Sequence, residues 1–273
     1  MRFTTQRAAA TPRITLVCLA HAGGNAALYR TWSRQLPSFT DVMAIDLPGH
    51  GVKRNQPPLA DWPSLMNRVA DDVAGALDTQ TPFAIFGHSM GALVGLELAH
   101  ALRQRGFPDP VWLGASGTVA PARRAIETHW LASGSEVLVE RLRVRGGTPA
   151  ALLDDHEFID FMLPALRADF HLCGVHPAYL AARVASGSEP LDCAIDVFIG
   201  RDDPATCHAA DVEAWSDETR AGCTVHRFHG GHFFLTDDAD AVLTRIADGL
   251  ATALPRDVSA ATQAAPSFVR EPS

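Results

Sequence analysis

An α/β chain built on a mostly parallel, doubly wound sheet is what the sequence predicts, and three observations predict it. Six short apolar runs alternate with stretches of helical periodicity. Most of these runs are continuously apolar rather than alternating, the pattern of parallel strands covered on both faces. The alternation breaks once, between about residues 118 and 195, where helical patterns follow one another with no convincing strand between them.

The expected strands, in order, are Ile14–Ala20, Val42–Leu47, Phe83–Phe86, Val111–Ala115, Asp196–Ile199 and Thr224–Phe228. After the first, Leu28, Trp32 and Leu36 mark a helix. After the second, Asp61 can cap a helix with Pro63 in its first turn and Leu65, Val69, Val73 and Leu77 on one face. A third helix opens at Gly87-His88-Ser89-Met90-Gly91 and runs to about Arg103. Within 118–195, Phe158, Met162, Leu166 and Phe170 recur at helical spacing. An insertion close to the C-terminal ends of sheet strands is where a lid over a substrate sits, although helices that merely buttress the sheet would give the same pattern. Near the end, Thr236 can cap a helix carrying Val242, Ile246 and Leu250, with Pro255 following it. These readings give a single domain over 1–254, with the insertion at about 118–195. Residues 255–273, rich in Ala, Ser, Thr and Pro, are expected to be a disordered tail.

The chain has 273 residues with 23 basic and 31 acidic side chains, a formal charge of −8. No basic run offers nucleic-acid phosphates a cationic face. No apolar run approaches the roughly 18 residues that span a bilayer. Five cysteines, an odd number with no CxxC pair, fit a reduced compartment better than a disulfide framework. A cytoplasmic protein with no nucleic-acid or membrane partner is expected. The N-terminus offers a rival reading: Arg2, Arg7 and Arg13 precede the apolar run, and Ala20-His21-Ala22 resembles a signal-peptide cleavage site. Cleavage there would destroy a loop with a better use, described below.

Gly87-His88-Ser89-Met90-Gly91 is a GxSxG sequence in the required context, with a strand before it and a helix after it. The sharp turn puts the serine in strained backbone geometry, and the flanking glycines remove side chains that would collide. Ala92 and Gly95 let the helix approach the sheet, and the helix N-terminus adds partial positive charge beneath an oxyanion. Ser89 is therefore the expected nucleophile. It needs a base held by an acid, and with this motif the order is Ser, then Asp or Glu, then His. Asp196–Gly200 runs into Arg201-Asp202-Asp203-Pro204, and Thr224–Phe228 runs into His229-Gly230-Gly231-His232-Phe233. Asp203 is preferred to Asp202 because Pro204 stiffens its turn. His232 is preferred to His229 because two glycines free its loop to bring it over the sheet edge. The oxyanion hole needs one N–H from the residue after the nucleophile, Met90, and one from the loop His21-Ala22-Gly23-Gly24-Asn25, where Ala22 is the natural donor.

His226, His229 and His232 invite a metal reading, but no cysteine pair or acidic neighbour in sequence supports zinc. No metal or cofactor is expected. His88 and His100 read as structural, and His50 as shaping a turn at the edge of the site.

With these residues in place, the sequence resembles the type II thioesterases of nonribosomal-peptide and polyketide assembly lines, members of the α/β-hydrolase superfamily. The matching pieces are His21-Ala22-Gly23-Gly24, the Trp32 helix, Gly87–Ala92, Leu163-Pro164-Ala165-Leu166-Arg167-Ala168-Asp169-Phe170 and Gly230-Gly231-His232-Phe233-Phe234, within roughly 14–250. The chain departs from the family at Leu19-Ala20-His21, where Phe-Pro is usual, and at His50-Gly51, where an Arg-Glu pair is usual. The resemblance implies a triad of Ser89, Asp203 and His232 and oxyanion donors at Ala22 and Met90. It also implies hydrolysis of acyl thioesters on the phosphopantetheine arm of a carrier protein; a monomer is expected. Residues 120–150 carry five arginines (123, 124, 141, 143, 145) against three glutamates. Arg123 and Arg124 could dock an acidic carrier or its phosphate, or belong to a solvated helical face. A small-molecule carboxylesterase and a non-catalytic binding protein are the rival readings.

Overall fold

The computed structural model describes residues 13–78 and 80–254. Six strands, β1 (Ile14–Leu19), β2 (Thr40–Ile45), β3 (Phe83–His88), β4 (Trp112–Ser116), β5 (Ala194–Gly200) and β6 (Cys223–Phe228), form one all-parallel sheet in the order β2-β1-β3-β4-β5-β6. Each expected strand is present, with no end shifted by more than two residues. The helices are α1 (Trp32–Gln35), α2 (Trp62–Ala74), α3 (Met90–Gln104), α4 (Ser135–Arg145), α5 (Ala150–Leu153), α6 (His156–Ala185), α7 (Ala209–Glu213), α8 (Phe234–Asp237) and α9 (Ala239–Ala253).

Side chains alternate across β1, so Val17 and Leu19 join one buried layer and Ile14, Leu16 and Cys18 the other. The first layer packs α2 and α3 on the sheet through Leu65, Val69, Val73, Leu93 and Leu96. The second packs Trp32 and α9 through Val242, Ile246 and Leu250. Burial on both faces is why these strands are apolar throughout. The chain leaves β1 to form β2 on one side and β3 on the other. This reversal opens a crevice at the carboxyl ends of β1 and β3.

Local expectations need three corrections. Asp61 caps α2 by accepting from Ser64 N–H at 2.9 Å, but the helix ends at Ala74, before Leu77, which is buried beyond it. The helix expected through Leu28, Trp32 and Leu36 is broken into a 3-10 turn, Ala26–Tyr29, and the single turn α1. Thr236 does not cap the last helix. It lies inside α8 with its hydroxyl on Phe233 C=O, and Asp238 holds the N-cap position of α9. Pro255 and the expected tail lie outside the described residues.

Between β4 and β5 the described chain is helical and irregular, and its longest element is the 30-residue α6. Trp130, Leu138, Leu153, Ile159, Leu163, Leu166 and Phe170 give this insertion a buried cluster of its own. The N-terminal half of α6 faces the crevice. Its C-terminal half is bolted to α3 by buried polar contacts, His176 to Glu97 at 2.9 Å and Arg183 to Glu97 at 3.0 Å, and Arg183 also reaches Glu218, before β6, at 2.8 Å. Among the described residues no helix is long and apolar enough to cross a membrane.

Candidate active site

Ser89 follows β3 immediately and N-caps α3 with φ 56° and ψ −114°. It is the sole non-glycine with positive φ among the described residues, a conformation that costs an L-residue on the order of 1–3 kcal/mol. Its neighbours explain how the turn is tolerated. A Cβ on Gly87 would collide with Gly91 C=O, and one on Gly91 with Leu19 C=O. The turn is further pinned by Ser89 N–H donating to Ser116 C=O at 2.6 Å. The serine therefore stands above the sheet on a rigid base.

The acid and the histidine come from the next two strand ends. Asp203 lies three residues beyond β5 and His232 four beyond β6. Their loops are tied together by Asp202 N–H donating to Gly230 C=O at 3.1 Å, and Gly200 leaves no room for a Cβ against Gly230 and Gly231. His232 Nδ1 sits 2.7 Å from Asp203 Oδ2, with both residues buried. Burial opposes the charge on Asp203, yet the His232 hydrogen bond and charge hold its pKa below the usual carboxylate range. Asp202 and His229 are both exposed, and His229 N–H donates to Asp238 at 3.0 Å.

Arg145, the last residue of α4, reaches into this centre. Its Nη1 lies 3.2 Å from His232 Nε2 and 3.4 Å from Ser89 Oγ. A guanidinium can only donate, so Nε2 accepts and the ring proton is on Nδ1, facing Asp203. That is the tautomer a base needs if it is to take a proton from the serine. Ser89, His232, Ala22 and Met90 line one cavity, whose apolar wall includes Leu142, Phe158, Met162, Leu166 and Phe170. The four-residue stripe on α6 thus faces ligand space.

The loop carrying Ala22 is held from two sides. Asp46, after β2, accepts from Ala26 N–H at 2.7 Å and from Val52 N–H at 2.9 Å. Asp169, on α6, accepts from Gly23 N–H at 2.7 Å and from His50 Nε2 at 2.9 Å. The other nitrogen of His50 faces Pro48 C=O at 3.1 Å. Both ring nitrogens therefore meet acceptors, which suits the doubly protonated ring. Burial opposes that charge, but Asp169 outweighs it and raises the His50 pKa to about 9. His50 does shape a turn, and it is also the partner of an α6 carboxylate.

The remaining histidines divide by surroundings. His88 is fully buried, with Nδ1 on Ser116 Oγ at 2.9 Å, and burial drives its pKa well below the usual value. His21 packs edge-on against Phe233 and is lowered to about 4, chiefly by burial and then by His232. His100 takes part in the α3–α6 anchor, 2.7 Å from Arg183. His226 pairs with Asp196 at 3.1 Å, a different carboxylate from the Asp203 that His232 meets. No group of three potential metal ligands occurs among the described residues. Two residues at this site, Arg145 and Asp169, are not marked by the sequence: Asp169 falls inside the segment 163–170, and Arg145 is one of five arginines between 120 and 150 with nothing to distinguish it.

Comparison with known proteins agrees with this architecture. A family model described as "Thioesterase domain" matches residues 14–250. The gramicidin S biosynthesis protein GrsT of Aneurinibacillus migulanus is 34% identical over 223 residues, 82% of this chain and 83% of that protein. Among solved structures, the type II thioesterase BorB from the borrelidin biosynthetic cluster is 31% identical, with TM-score 0.74, covering 89% of this chain and 95% of that one. RedJ, a thioesterase of the prodiginine pathway in Streptomyces coelicolor, is 31% identical with TM-score 0.75, covering 90% and 91%. The chain therefore belongs to the thioesterase family, as one of the type II thioesterases of nonribosomal-peptide and polyketide biosynthesis on the α/β-hydrolase fold.

Proposed function

We propose that the protein releases acyl groups from the phosphopantetheine arms of carrier proteins through an acyl-enzyme on Ser89, unblocking stalled or misprimed synthases. The observation that carries this reading is that Ser89, with its strained backbone, shares one apolar-walled cavity with His232, whose Nδ1 is held by Asp203. His232 Nε2 takes the Ser89 proton as Oγ attacks the thioester carbonyl, and Asp203 steadies the resulting imidazolium. The N–H groups of Ala22 and Met90 hold the oxyanion. The proton on His232 passes to the departing sulfur, which needs little help because a thiol's pKa is about 8.5. Water, activated by the same histidine, then frees the acid.

In this reading residues 118–195 are a lid, and 1–254 form a single α/β-hydrolase unit acting in the cytoplasm as a monomer. Arg123, exposed at the start of the insertion, and Arg124 beside it, lining the adjoining cavity, offer cationic contacts to the carrier or to the arm's phosphate. The apolar wall supports an acyl guest, and the relatives from peptide and polyketide clusters support a carrier as its bearer.

The test compares turnover of acyl-carrier, acyl-pantetheine and aryl ester substrates by wild type and Ser89→Ala. Acyl-carrier should be preferred, and the variant should lose on the order of 10⁴–10⁶ in kcat. Activity that survives in the variant overturns the mechanism, and preference for the aryl ester restores the carboxylesterase reading. Arg123→Glu should raise KM for acyl-carrier and leave small thioesters unaffected. Equal effects on both discard the docking role.

A further inference from the structure

Ser89 Oγ and His232 Nε2 must meet before a proton can pass between them. In the structure they make no hydrogen bond to each other. Each instead has Arg145 Nη1 as its one hydrogen-bond partner among the described residues, at 3.4 Å and 3.2 Å. The guanidinium takes up the lone pair on Nε2 that the serine proton needs, and it leaves the ring proton on Nδ1. The base is thus held in its working tautomer and blocked at the same time. The hold is weak for a charged donor. Both bonds are long, both acceptors are neutral, and Asp203, the carboxylate whose charge Arg145 feels, is committed to His232. Burial, and then the charge of Arg141, press the pKa of Arg145 down. The backbone beneath it is lightly held as well. Arg145 ends α4, in which Leu138 alone is buried, and Gly146 and Gly147 follow at φ 75° and 81°. A second seat lies next door, because Arg145 lines both the cavity around Ser89 and the adjoining one. Of the acids lining that second cavity, Glu127 and Asp203 are taken up by Trp130 and His232, and Asp202 is exposed. The fourth is Asp211 on α7, half-buried, whose carboxylate has no hydrogen bond or ion pair among the described residues.

We propose that Arg145 is an autoinhibitory latch: it parts Ser89 from His232 in the resting enzyme and, when a substrate enters, swings into the adjoining cavity to pair with Asp211. The proposal rests on Ser89 and His232 being the groups that react. The two positions offer the guanidinium different things. Beside the base it has two neutral acceptors, and in the adjoining cavity it has a carboxylate at the cost of ordering a long side chain. The difference between them is small, so a bound substrate that needs Oγ and Nε2 free is enough to tip the balance. With the guanidinium withdrawn, Nε2 regains its lone pair and the serine hydroxyl can donate to it. The nucleophile therefore stays unarmed until a substrate is seated.

A fluorophosphonate probe, which phosphonylates an activated serine and carries no thioester, reads the latch without the proposed reaction. Arg145→Ala should speed labelling of Ser89 by about tenfold, as when the competent state holds on the order of a tenth of the molecules. Its kcat/KM for an acyl-pantetheine should rise by the same factor. Asp211→Asn removes the open seat and should slow both by about two- to fivefold, the worth of one partly exposed ion pair. In the Arg145→Ala background, Asp211→Asn should have no further effect, the non-additivity expected of two residues that act through one contact. Labelling that is unchanged or slower in a folded Arg145→Ala protein overturns the latch. So does an effect of Asp211→Asn that persists without Arg145. Should Arg145→Ala fail to fold, Asp211→Asn decides alone, and labelling at the wild-type rate overturns the proposal. Faster labelling of Arg145→Ala in a protein that turns over no thioester would uphold the latch and sink the proposed acyl release instead.

Discussion

The carboxylate of Asp169 accepts a hydrogen bond at 2.7 Å from the backbone N–H of Gly23, 146 residues earlier in the chain. Gly23 follows Ala22, so the inserted helix α6 directly holds the loop proposed to donate to the oxyanion. A loop that must present an N–H to within a few tenths of an ångström of a developing charge gains from such a clamp.

Asp169→Ala should therefore reduce kcat more than it raises KM, by about 10- to 100-fold, somewhat less than removal of an oxyanion donor itself. A transition-state analogue such as an acyl trifluoromethyl ketone should bind more weakly to the variant by a similar factor. Weaker stability with unchanged kcat and analogue affinity would reduce Asp169 to a structural tie.

The same carboxylate makes stability depend on pH through His50. Its pKa of about 9 in the folded protein exceeds the 6.5 of a free histidine. The His50–Asp169 pair thus stabilises fully below about pH 6.5 and loses that contribution as pH rises through 9. The stability gap between wild type and His50→Gln, measured by urea unfolding, should be widest near pH 6 and narrow toward pH 10. A gap constant across that range would show that the ring does not carry its proton in the folded state.

Much of this site was legible because it rests on backbone demands that leave residue-level traces. Gly87 and Gly91 have no room for a Cβ, so the Ser89 turn announces itself. The His232 loop carries Gly230 at φ 96° for the same kind of reason. Burial on both faces made the six strands legible. The insertion was harder to read. Pro164 and Pro177 sit inside α6 and look like breakers, which hides a 30-residue helix. Arg145 and Asp169 act through space, over 56 residues to Ser89 and 119 to His50, and nothing in their own neighbourhoods marks those partners. Thr236 misled because Thr and Asp are both favoured before a helix, and Asp238, two residues on, holds the N-cap position instead.

Adjacent aspartates give the proposed triad an internal control. Asp203 Oδ2 orients His232, whereas Asp202 is exposed and joins the His232 loop only through its backbone N–H. Asp203→Asn should lower kcat by about 10⁴, because the amide cannot hold the required tautomer. Asp202→Asn should change kcat less than about threefold, since the backbone contact survives. The Asp203 carboxylate titrates below the usual range, so its loss of charge should govern activity only under strongly acidic conditions. Equal losses in the two variants would remove Asp203 from the mechanism.

Two glycines of α3 test how the turn is built. At Gly91 an added Cβ meets the backbone of β1, Leu19 C=O and the neighbouring Ala20 C=O, which the sheet holds in place. At Gly95, one turn on, the obstacle is the Cγ2 methyl of buried Ile85 at 2.8 Å, a side-chain atom that yields more than backbone does but only by a small shift of the strand residue carrying it. Overpacking against a movable side chain costs about 1–3 kcal/mol, and against fixed backbone more. Gly95→Ala should thus remain folded and active with a melting temperature lowered by a few degrees. Gly91→Ala should lose at least about 3 kcal/mol and, where it still folds, should lose activity as Ser89 and Met90 are pushed off the end of β1. If both variants were equally stable, α3 would be free to lift from the sheet. The position of Ser89 would then owe nothing to close contact between the first turn of α3 and the first strand.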